Sequence, residues 1–226
     1  LLDDPNFKDL DFSSLRISQA GGMAATEQTA ARWLEVTGCP MIEGWGMTEG
    51  VAAGTGNIVT DRKFNGTIGV PLPSVDIIII DDNGERVGFN EAGEMCIKGP
   101  NVTAGYLNRD SSSDFTEEGY FCTGDIVSMD EKGYIKLLDR KKDMVLVSGF
   151  NVFPNELESV MLDCNGVIDC AVIGVPDEHQ GESIKMYIIR KDTNVTKDMI
   201  KDFALDNLTG YKCPRYIKFI DELFKS

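Results

Sequence analysis

The spacing of apolar and polar residues predicts mixed helices and strands in the first third of the chain. Residues 24–36 carry apolar side chains at the i, i+3 and i+4 positions of an amphipathic helix, and Gly38 suits its C-terminus. A short strand is predicted before this helix, over residues 15–18. Residues 43–50 contain three glycines and therefore predict a loop.

The next segment, residues 65–138, has the short apolar runs and turn residues of a β-rich region. Strands are predicted over residues 75–80, 94–98, 126–129 and 134–138. The polar residues 130–133 end in glycine and predict a hairpin between the last two strands. Hairpins at this spacing favour a small barrel or sandwich.

The pattern changes again after about residue 140, where helices and strands are mixed. Helices are predicted over residues 154–162 and 196–208, and strands over residues 170–175, 184–189 and 216–220. Pro154 suits the first turn of one helix, while Thr196 and Gly210 suit the two ends of the other. This part of the chain is expected to form a separate α+β unit.

Composition and charge exclude several classes of protein. The chain has 226 residues and a formal net charge of −15, which does not suit non-specific nucleic-acid binding. No apolar run is long enough for a transmembrane helix. The six cysteines form no CxxC pair and are typical of reduced thiols in a cytosolic protein. His179 is the only histidine, which disfavours a histidine-rich zinc site and a Ser-His-Asp triad.

Two glycine-containing clusters could bind a nucleotide. In residues 44–49, Trp45 offers a stacking face, and Thr48 and Glu49 offer a hydroxyl and a carboxylate for a phosphate and Mg²⁺. The alternative is a tight structural turn. Asp125 follows Gly124 just before a predicted strand, where its carboxylate could accept hydrogen bonds from a ribose diol. The alternative there is a turn that caps the strand.

A third cluster is basic, in a chain that is otherwise acidic. Residues 136–142 contain four positive charges and one negative charge, at the point where the pattern of elements changes. An anionic ligand would suit such a segment. The alternative is an ordinary solvated run of charges.

Taken in order, these clusters resemble three successive core motifs of the adenylate-forming superfamily, which includes the acyl-CoA synthetases. The matching segments are residues 44–49, residues 123–125, and residues 139–143 with Ser148 and Gly149. Residues 119–158 are similar to the bacterial long-chain fatty acyl-CoA ligases in particular. The resemblance implies an acid–thiol ligase that uses ATP, Mg²⁺ and coenzyme A to activate a fatty acid.

The resemblance also implies a fold and a domain organisation. The fold class is α/β plus α+β, in which residues 1–138 end a large AMP-binding domain and residues 65–138 form a barrel-like subdomain. Residues 139–142 are the expected hinge, and residues 143–226 are the expected small C-terminal domain.

Roles for individual residues follow from the same resemblance. In nucleotide binding, Trp45 would stack on adenine, Gly22 and Gly44 would line the base, and Asp125 would hold the ribose hydroxyls. Residue 45 is usually tyrosine in the superfamily, and tryptophan preserves a stacking face.

The remaining roles concern the phosphates, the hinge and coenzyme A. Thr48 would contact the α-phosphate, Glu49 would help to hold magnesium, and Arg140 would contact the nucleotide. Lys142 would be the hinge residue. The path of the pantetheine arm would be lined by Ser148, Gly149 and Phe150.

Two family elements are absent from the sequence, the glycine-rich phosphate loop and the lysine that catalyses adenylation. We therefore expect the C-terminal portion of a cytoplasmic ligase, inactive on its own. Peripheral contact with the inner face of a membrane is compatible with a fatty-acid substrate, and the oligomeric state is left open. The alternatives are an adenylation domain that serves a carrier protein and a non-catalytic nucleotide- or acyl-binding module.

Overall fold

The computed structural model describes residues 1–23, 25–60 and 63–223. The chain forms two compact units, an N-terminal unit, Leu1–Leu137, and a C-terminal unit, Leu138–Ser226. Residue 24, at the start of the first predicted helix, and residues 224–226 lie outside the described parts. No helix in those described ranges is both long and apolar enough to cross a membrane.

The N-terminal unit begins with a four-stranded sheet and one helix, α1 (Glu27–Thr37). In the order of the sheet, its strands are β1 (Ser18–Ala20), β2 (Met41–Trp45), β3 (Thr55–Gly56) and β4 (Val70–Pro71). Strands β1 and β2 are parallel, and the later pairs are antiparallel.

Two predictions in this region are wrong. The strand predicted over residues 15–18 lies at Ser18–Ala20, because Ser18 is the first residue with a partner in β2, namely Met41. The loop predicted over residues 43–50 begins as strand β2. Pairing with β1 on one side and β3 on the other extends Gly44, which overrides the low strand propensity of glycine.

A second four-stranded sheet follows in the N-terminal unit, and its last strand runs on into the first residues of the C-terminal unit. In sheet order, its strands are β5 (Asp76–Ile80), β6 (Gly93–Lys98), β7 (Phe121–Met129) and β8 (Ile135–Arg140). The predicted strands and the final hairpin are therefore confirmed. The predicted barrel is wrong, since the described sheets do not close on themselves. Residues 123–125 do not precede a strand but lie within β7.

Side chains of the second sheet form apolar clusters on both faces, because neighbouring residues of a strand point to opposite sides. The larger cluster contains Trp45, Ile68, Ile79, Met95, Ile97, Phe121, Val127 and Ile135. The smaller cluster contains Ile78, Ile80, Cys96 and Tyr120, with Cys122 packed against it.

The C-terminal unit is the predicted α+β fold, with a five-stranded sheet and two helices. Strands β9 (Val145–Val147), β10 (Phe150–Val152), β11 (Val167–Asp177), β12 (Gly181–Arg190) and β13 (Tyr216–Phe219) form the sheet. The helices are α2 (Pro154–Leu162) and α3 (Lys197–Asn207). The sheet runs β10-β9-β12-β11, and β13 adds to β12 in parallel.

The ends of α1 and α3 show why these helices were predictable. Thr26 and Thr196 lie at the N-cap positions, and each side chain accepts a backbone hydrogen bond from the first turn of its helix. Gly38 ends α1 in the left-handed conformation, as predicted. Gly210 does not end α3, because Leu208 already caps that helix in an extended conformation.

Candidate active site

The first part of the candidate site lies where the parallel strands β1 and β2 end. Gly22 follows β1 and is exposed, and Gly44 lies near the end of β2. A Cβ atom on Gly44 would lie 2.9 Å from the Gln19 amide nitrogen and 3.0 Å from the Thr55 carbonyl oxygen. A side chain at position 44 would therefore displace the end of the Gln19 side chain and crowd the Thr55 carbonyl. The carboxyl ends of parallel strands are common ligand sites.

The structure brings Trp45 and Asp125 together, although 80 positions separate them in the sequence. The indole Nε1–H donates a hydrogen bond of 2.8 Å to a carboxylate oxygen of Asp125. Both side chains are buried, with exposed fractions of 7% and 1%. Gly54 lies against the six-membered ring of the indole, where a Cβ atom would come within 2.6 Å. The stacking role of Trp45 stays a prediction.

Thr48 and Glu49 form a short 3-10 turn directly after this tryptophan. Thr48 is exposed, and Glu49 is half-buried. The Tyr106 hydroxyl donates a hydrogen bond of 2.5 Å to a carboxylate oxygen of Glu49, and the Thr103 backbone N–H donates to its carbonyl at 2.7 Å. The Glu49 carboxylate raises the pKa of Tyr106, because this bond stabilises the protonated phenol. Glu49 is thus held in place by a loop that lies 57 residues further along the chain.

This arrangement fits one mode of magnesium binding. Mg²⁺ in nucleotide sites is usually bound by one or two carboxylates together with substrate phosphates, rather than by a full set of protein ligands. Within the described ranges, no group of three or more His, Cys, Asp or Glu side chains forms such a set. Binding that shares Mg²⁺ with substrate phosphates needs few protein donors. The oriented Glu49 carboxylate, next in sequence to the exposed Thr48 hydroxyl, supplies such a set.

A buried carboxylate, Glu43, lies beside the site. It accepts a hydrogen bond of 2.9 Å from the Ala25 backbone N–H, which follows the Gly22 segment. Burial raises the pKa of Glu43, and the bond from Ala25 opposes that shift. Glu43 therefore ties the segment after β1 to strand β2.

In the C-terminal unit, Asp139 anchors the basic segment to helix α2. Its carboxylate accepts hydrogen bonds from the backbone N–H groups of Arg140 at 2.7 Å and Asn155 at 2.9 Å. Asn155 belongs to the first turn of α2, where a negative charge is favourable. Burial nevertheless raises the pKa of Asp139. Lys142 lies in an exposed 3-10 turn immediately beyond this anchor.

Ser148 and Gly149 form the two-residue turn of the hairpin that joins β9 to β10. Both have positive φ angles, 51° and 84°, which are typical of a type I′ turn. Phe150 follows on β10 and stacks on Tyr211, with ring centroids 4.7 Å apart. Ser148 and Tyr211 also line an open cavity of about 430 Å³, together with Gln180, Ser183 and Arg215.

Sequence reasoning missed Tyr106 and Tyr211, which contact predicted site residues. Both are exposed. Tyr106 lies outside the motifs that carry the resemblance, whereas Tyr211 lies in residues 208–212, which are similar to the bacterial long-chain fatty acyl-CoA ligases but were given no role. The glycine directly before Tyr106 was the only local signal there, and it indicates a turn rather than a contact.

Comparison with known proteins connects these features. The AMP-binding enzyme family matches residues 1–107, and the AMP-binding enzyme C-terminal domain matches residues 156–226. A long-chain-fatty-acid–CoA ligase from Haemophilus influenzae is 47% identical over the whole chain, which spans 40% of that relative. The chain corresponds to the C-terminal part of such relatives.

Solved structures agree with this assignment. ATP-bound MatB from Rhodopseudomonas palustris superposes with a TM-score of 0.91 at 31% identity, covering 100% of this chain and 46% of MatB. MenE from Bacillus subtilis, in complex with its acyl-adenylate intermediate, superposes with a TM-score of 0.84 at 30% identity over 94% of this chain and 44% of MenE. The chain belongs to the AMP-binding, adenylate-forming enzymes.

Proposed function

We propose that this chain forms the C-terminal part of a long-chain-fatty-acid–CoA ligase. The main support is the 47% identity with a ligase of that name along the entire chain. The contact between Trp45 and Asp125 supports it structurally, because it joins two separate nucleotide-binding motifs into one buried hydrogen-bonded pair.

The proposed reaction has two half-reactions. A fatty-acid carboxylate attacks the α-phosphorus of ATP, the bond to pyrophosphate breaks, and an acyl-adenylate forms. The thiol of coenzyme A then attacks the acyl carbonyl carbon, and AMP leaves. Magnesium, when bound, neutralises phosphate charge. Positioning and electrostatics dominate such phosphoryl chemistry, so this chain should contribute mainly by fixing its polar groups.

In the N-terminal unit, the proposed task of Asp125 is to accept hydrogen bonds from the two ribose hydroxyls. The indole N–H of Trp45 orients this carboxylate from the protein side. Thr48 would donate to the α-phosphate. Glu49, oriented by Tyr106, would hold magnesium against the phosphates. Gly22 and Gly44 would lie against the base.

In the C-terminal unit, the basic segment and the β9–β10 hairpin have separate proposed tasks. Arg140 would contact the nucleotide, and Lys142 would be the residue whose backbone torsions change between the half-reactions. Ser148, Gly149 and Phe150 would line the pantetheine path of coenzyme A. The stacked ring of Tyr211 fixes the Phe150 side chain for that role.

The proposal is tested with a hybrid enzyme. This chain replaces the matching 40% of the Haemophilus influenzae ligase, and the hybrid is assayed with palmitate, MgATP and coenzyme A. We expect palmitoyl-CoA, AMP and pyrophosphate in equal amounts. Asp125→Ala should raise the KM for ATP at least about tenfold, since it removes two charge-assisted hydrogen bonds worth roughly 1.5–3 kcal/mol each.

Two further measurements make the test decisive. Asp130→Ala, which alters a turn carboxylate at the end of the same strand, should leave the KM for ATP unchanged. A non-hydrolysable palmitoyl-adenylate analogue should bind the hybrid even if turnover is slow. A folded hybrid that neither turns over nor binds the analogue would contradict the proposed function. Transfer to a carrier protein but not to coenzyme A would favour the adenylation-domain alternative.

A further inference from the structure

Cys96 and Cys122 face each other across the second sheet of the N-terminal unit. They are directly paired in the antiparallel register of β6 and β7. Residues paired in this way have Cα atoms roughly 4.5–5.5 Å apart, which falls within the range of about 4.4–6.8 Å that disulfides span. The two sulfur atoms are 3.5 Å apart. A disulfide therefore needs small side-chain rotations rather than a rearrangement of the strands.

The two thiols differ in access to solvent. Cys96 is fully buried in the smaller apolar cluster, whereas Cys122 is only partly buried against it. The register of β6 shifts between Glu94 and Cys96, so the regular pairing with β7 is interrupted beside the pair. Cys122 is thus the more accessible of the two thiols, and the Cys96 sulfur lies beside it at 3.5 Å.

The other described cysteines lack this arrangement. Cys39 is buried, and its thiol contacts the Pro40 carbonyl and the Ser18 hydroxyl. In the C-terminal unit, burial raises the pKa of Cys164 and of Cys213, and raises the pKa of Cys170 to about 12. Thiolate is the reactive form, so burial should slow the oxidation of these three thiols and of Cys96 alike. Cys96 differs from them by the Cys122 sulfur, which lies 3.5 Å away.

We propose that Cys96 and Cys122 form an oxidation site, at which a hydroperoxide converts the two thiols into a disulfide. The Cys122 sulfur attacks a peroxide oxygen, the O–O bond breaks, and a sulfenic acid and one molecule of alcohol or water result. The Cys96 sulfur then attacks the sulfenyl sulfur, the S–S bond forms, and water leaves. One hydroperoxide is thus reduced as two thiols are oxidised, and an external dithiol reverses the change.

The test uses the 226-residue chain in its reduced form. After treatment with millimolar hydrogen peroxide, the protein is unfolded in alkylating reagent, and its remaining thiols are counted. The count should fall from six to four. Peptide mass spectrometry should find Cys96 linked to Cys122, with the loss of two hydrogen atoms, and dithiothreitol should restore all six thiols.

Matched variants separate this pair from general oxidation. Cys39→Ser should still form the link. Cys96→Ser should form no link and should accumulate a sulfenic acid on Cys122, which dimedone traps. Cys122→Ser, which keeps only the Cys96 thiol of the pair, should lose that thiol more slowly than the wild-type chain does. The proposal is wrong if the folded wild-type chain keeps all of its thiols, or if the linked pair appears only when the chain is oxidised in denaturant.

Discussion

The buried hydrogen bond from Trp45 to Asp125 can be tested through the stability of the N-terminal unit. Trp45→Phe keeps an aromatic ring but removes the N–H donor that holds the carboxylate. The chain supplies its own control, because Trp33, its only other tryptophan, also donates its indole N–H to a side chain. That acceptor is the neutral Ser18 hydroxyl, at 2.9 Å, and the contact is only partly buried.

The difference between the two acceptors sets the expected magnitudes. A hydrogen bond to a charged group contributes about 1.5–3 kcal/mol, whereas one between neutral groups contributes about 0.5–1.5 kcal/mol. The smaller ring also leaves a cavity beside the buried indole site, which adds roughly 1 kcal/mol at position 45. We therefore expect Trp45→Phe to lower the free energy of unfolding by about 3 kcal/mol and Trp33→Phe by about 1 kcal/mol.

Both tryptophans lie in the N-terminal unit, so their fluorescence reports its unfolding. Each variant keeps one tryptophan as the reporter, and guanidinium titration of both gives the two free energies. In the double variant Trp45→Phe/Asp125→Asn, the loss should be less than the sum of the single losses, since the two residues act as a pair. Equal losses of unfolding free energy for Trp45→Phe and Trp33→Phe would show that the charged Asp125 acceptor adds no stability beyond a neutral acceptor.

Three further predictions concern other parts of the chain. In the hybrid ligase, Lys142→Pro should spare ATP–pyrophosphate exchange and block thioester formation, because proline fixes φ near about −65°, and equal loss of both steps would contradict the hinge role. Asp139→Ala should destabilise the C-terminal unit by about 1–3 kcal/mol, measured by amide exchange, because the Arg140 and Asn155 amides lose their acceptor. Glu43→Gln should stabilise the chain at pH 7 in urea titrations, because burial raises the pKa of Glu43 and makes its ionised form unfavourable in the folded state. That gain should largely disappear at about pH 3, where the carboxyl is mostly protonated in both the folded and the unfolded states, and an equal gain at both pH values would exclude this cause.

Local signals in the sequence explain which elements were predictable. The Gly38 end of α1, the Thr196 cap of α3 and the turn at residues 130–133 act through neighbours in the sequence, and all three were predicted at or near their observed positions. Strand β2 was missed because its extended backbone depends on β1 and β3 rather than on its own residues. Local propensity is weakest where pairing partners decide the conformation.

The contacts within the candidate site were even less predictable from local sequence than strand β2. Motif resemblance identified Glu49 and Asp125 as separate residues, but their partners, Tyr106 and Trp45, lie 57 and 80 positions away. A polar loop such as the one containing Tyr106 has no periodicity from which such a contact could be predicted. Long-range contacts of this kind follow from the assembled sheets.

The glycines around Trp45 have a different role from the one that their spacing indicated. The three glycines of residues 43–50 predicted a loop. In the structure, a Cβ atom on Gly46 would lie 1.5 Å from the Ala52 carbonyl oxygen, and one on Gly54, which follows that segment, would lie 2.6 Å from the Trp45 ring. Gly46 lets the chain fold back closely on Ala52, and Gly54 lets the backbone pack directly against the indole of Trp45. The indole in turn donates a hydrogen bond that orients the Asp125 carboxylate. Gly46 and Gly54 can therefore support the proposed nucleotide site by packing around the indole, without contacting the nucleotide themselves.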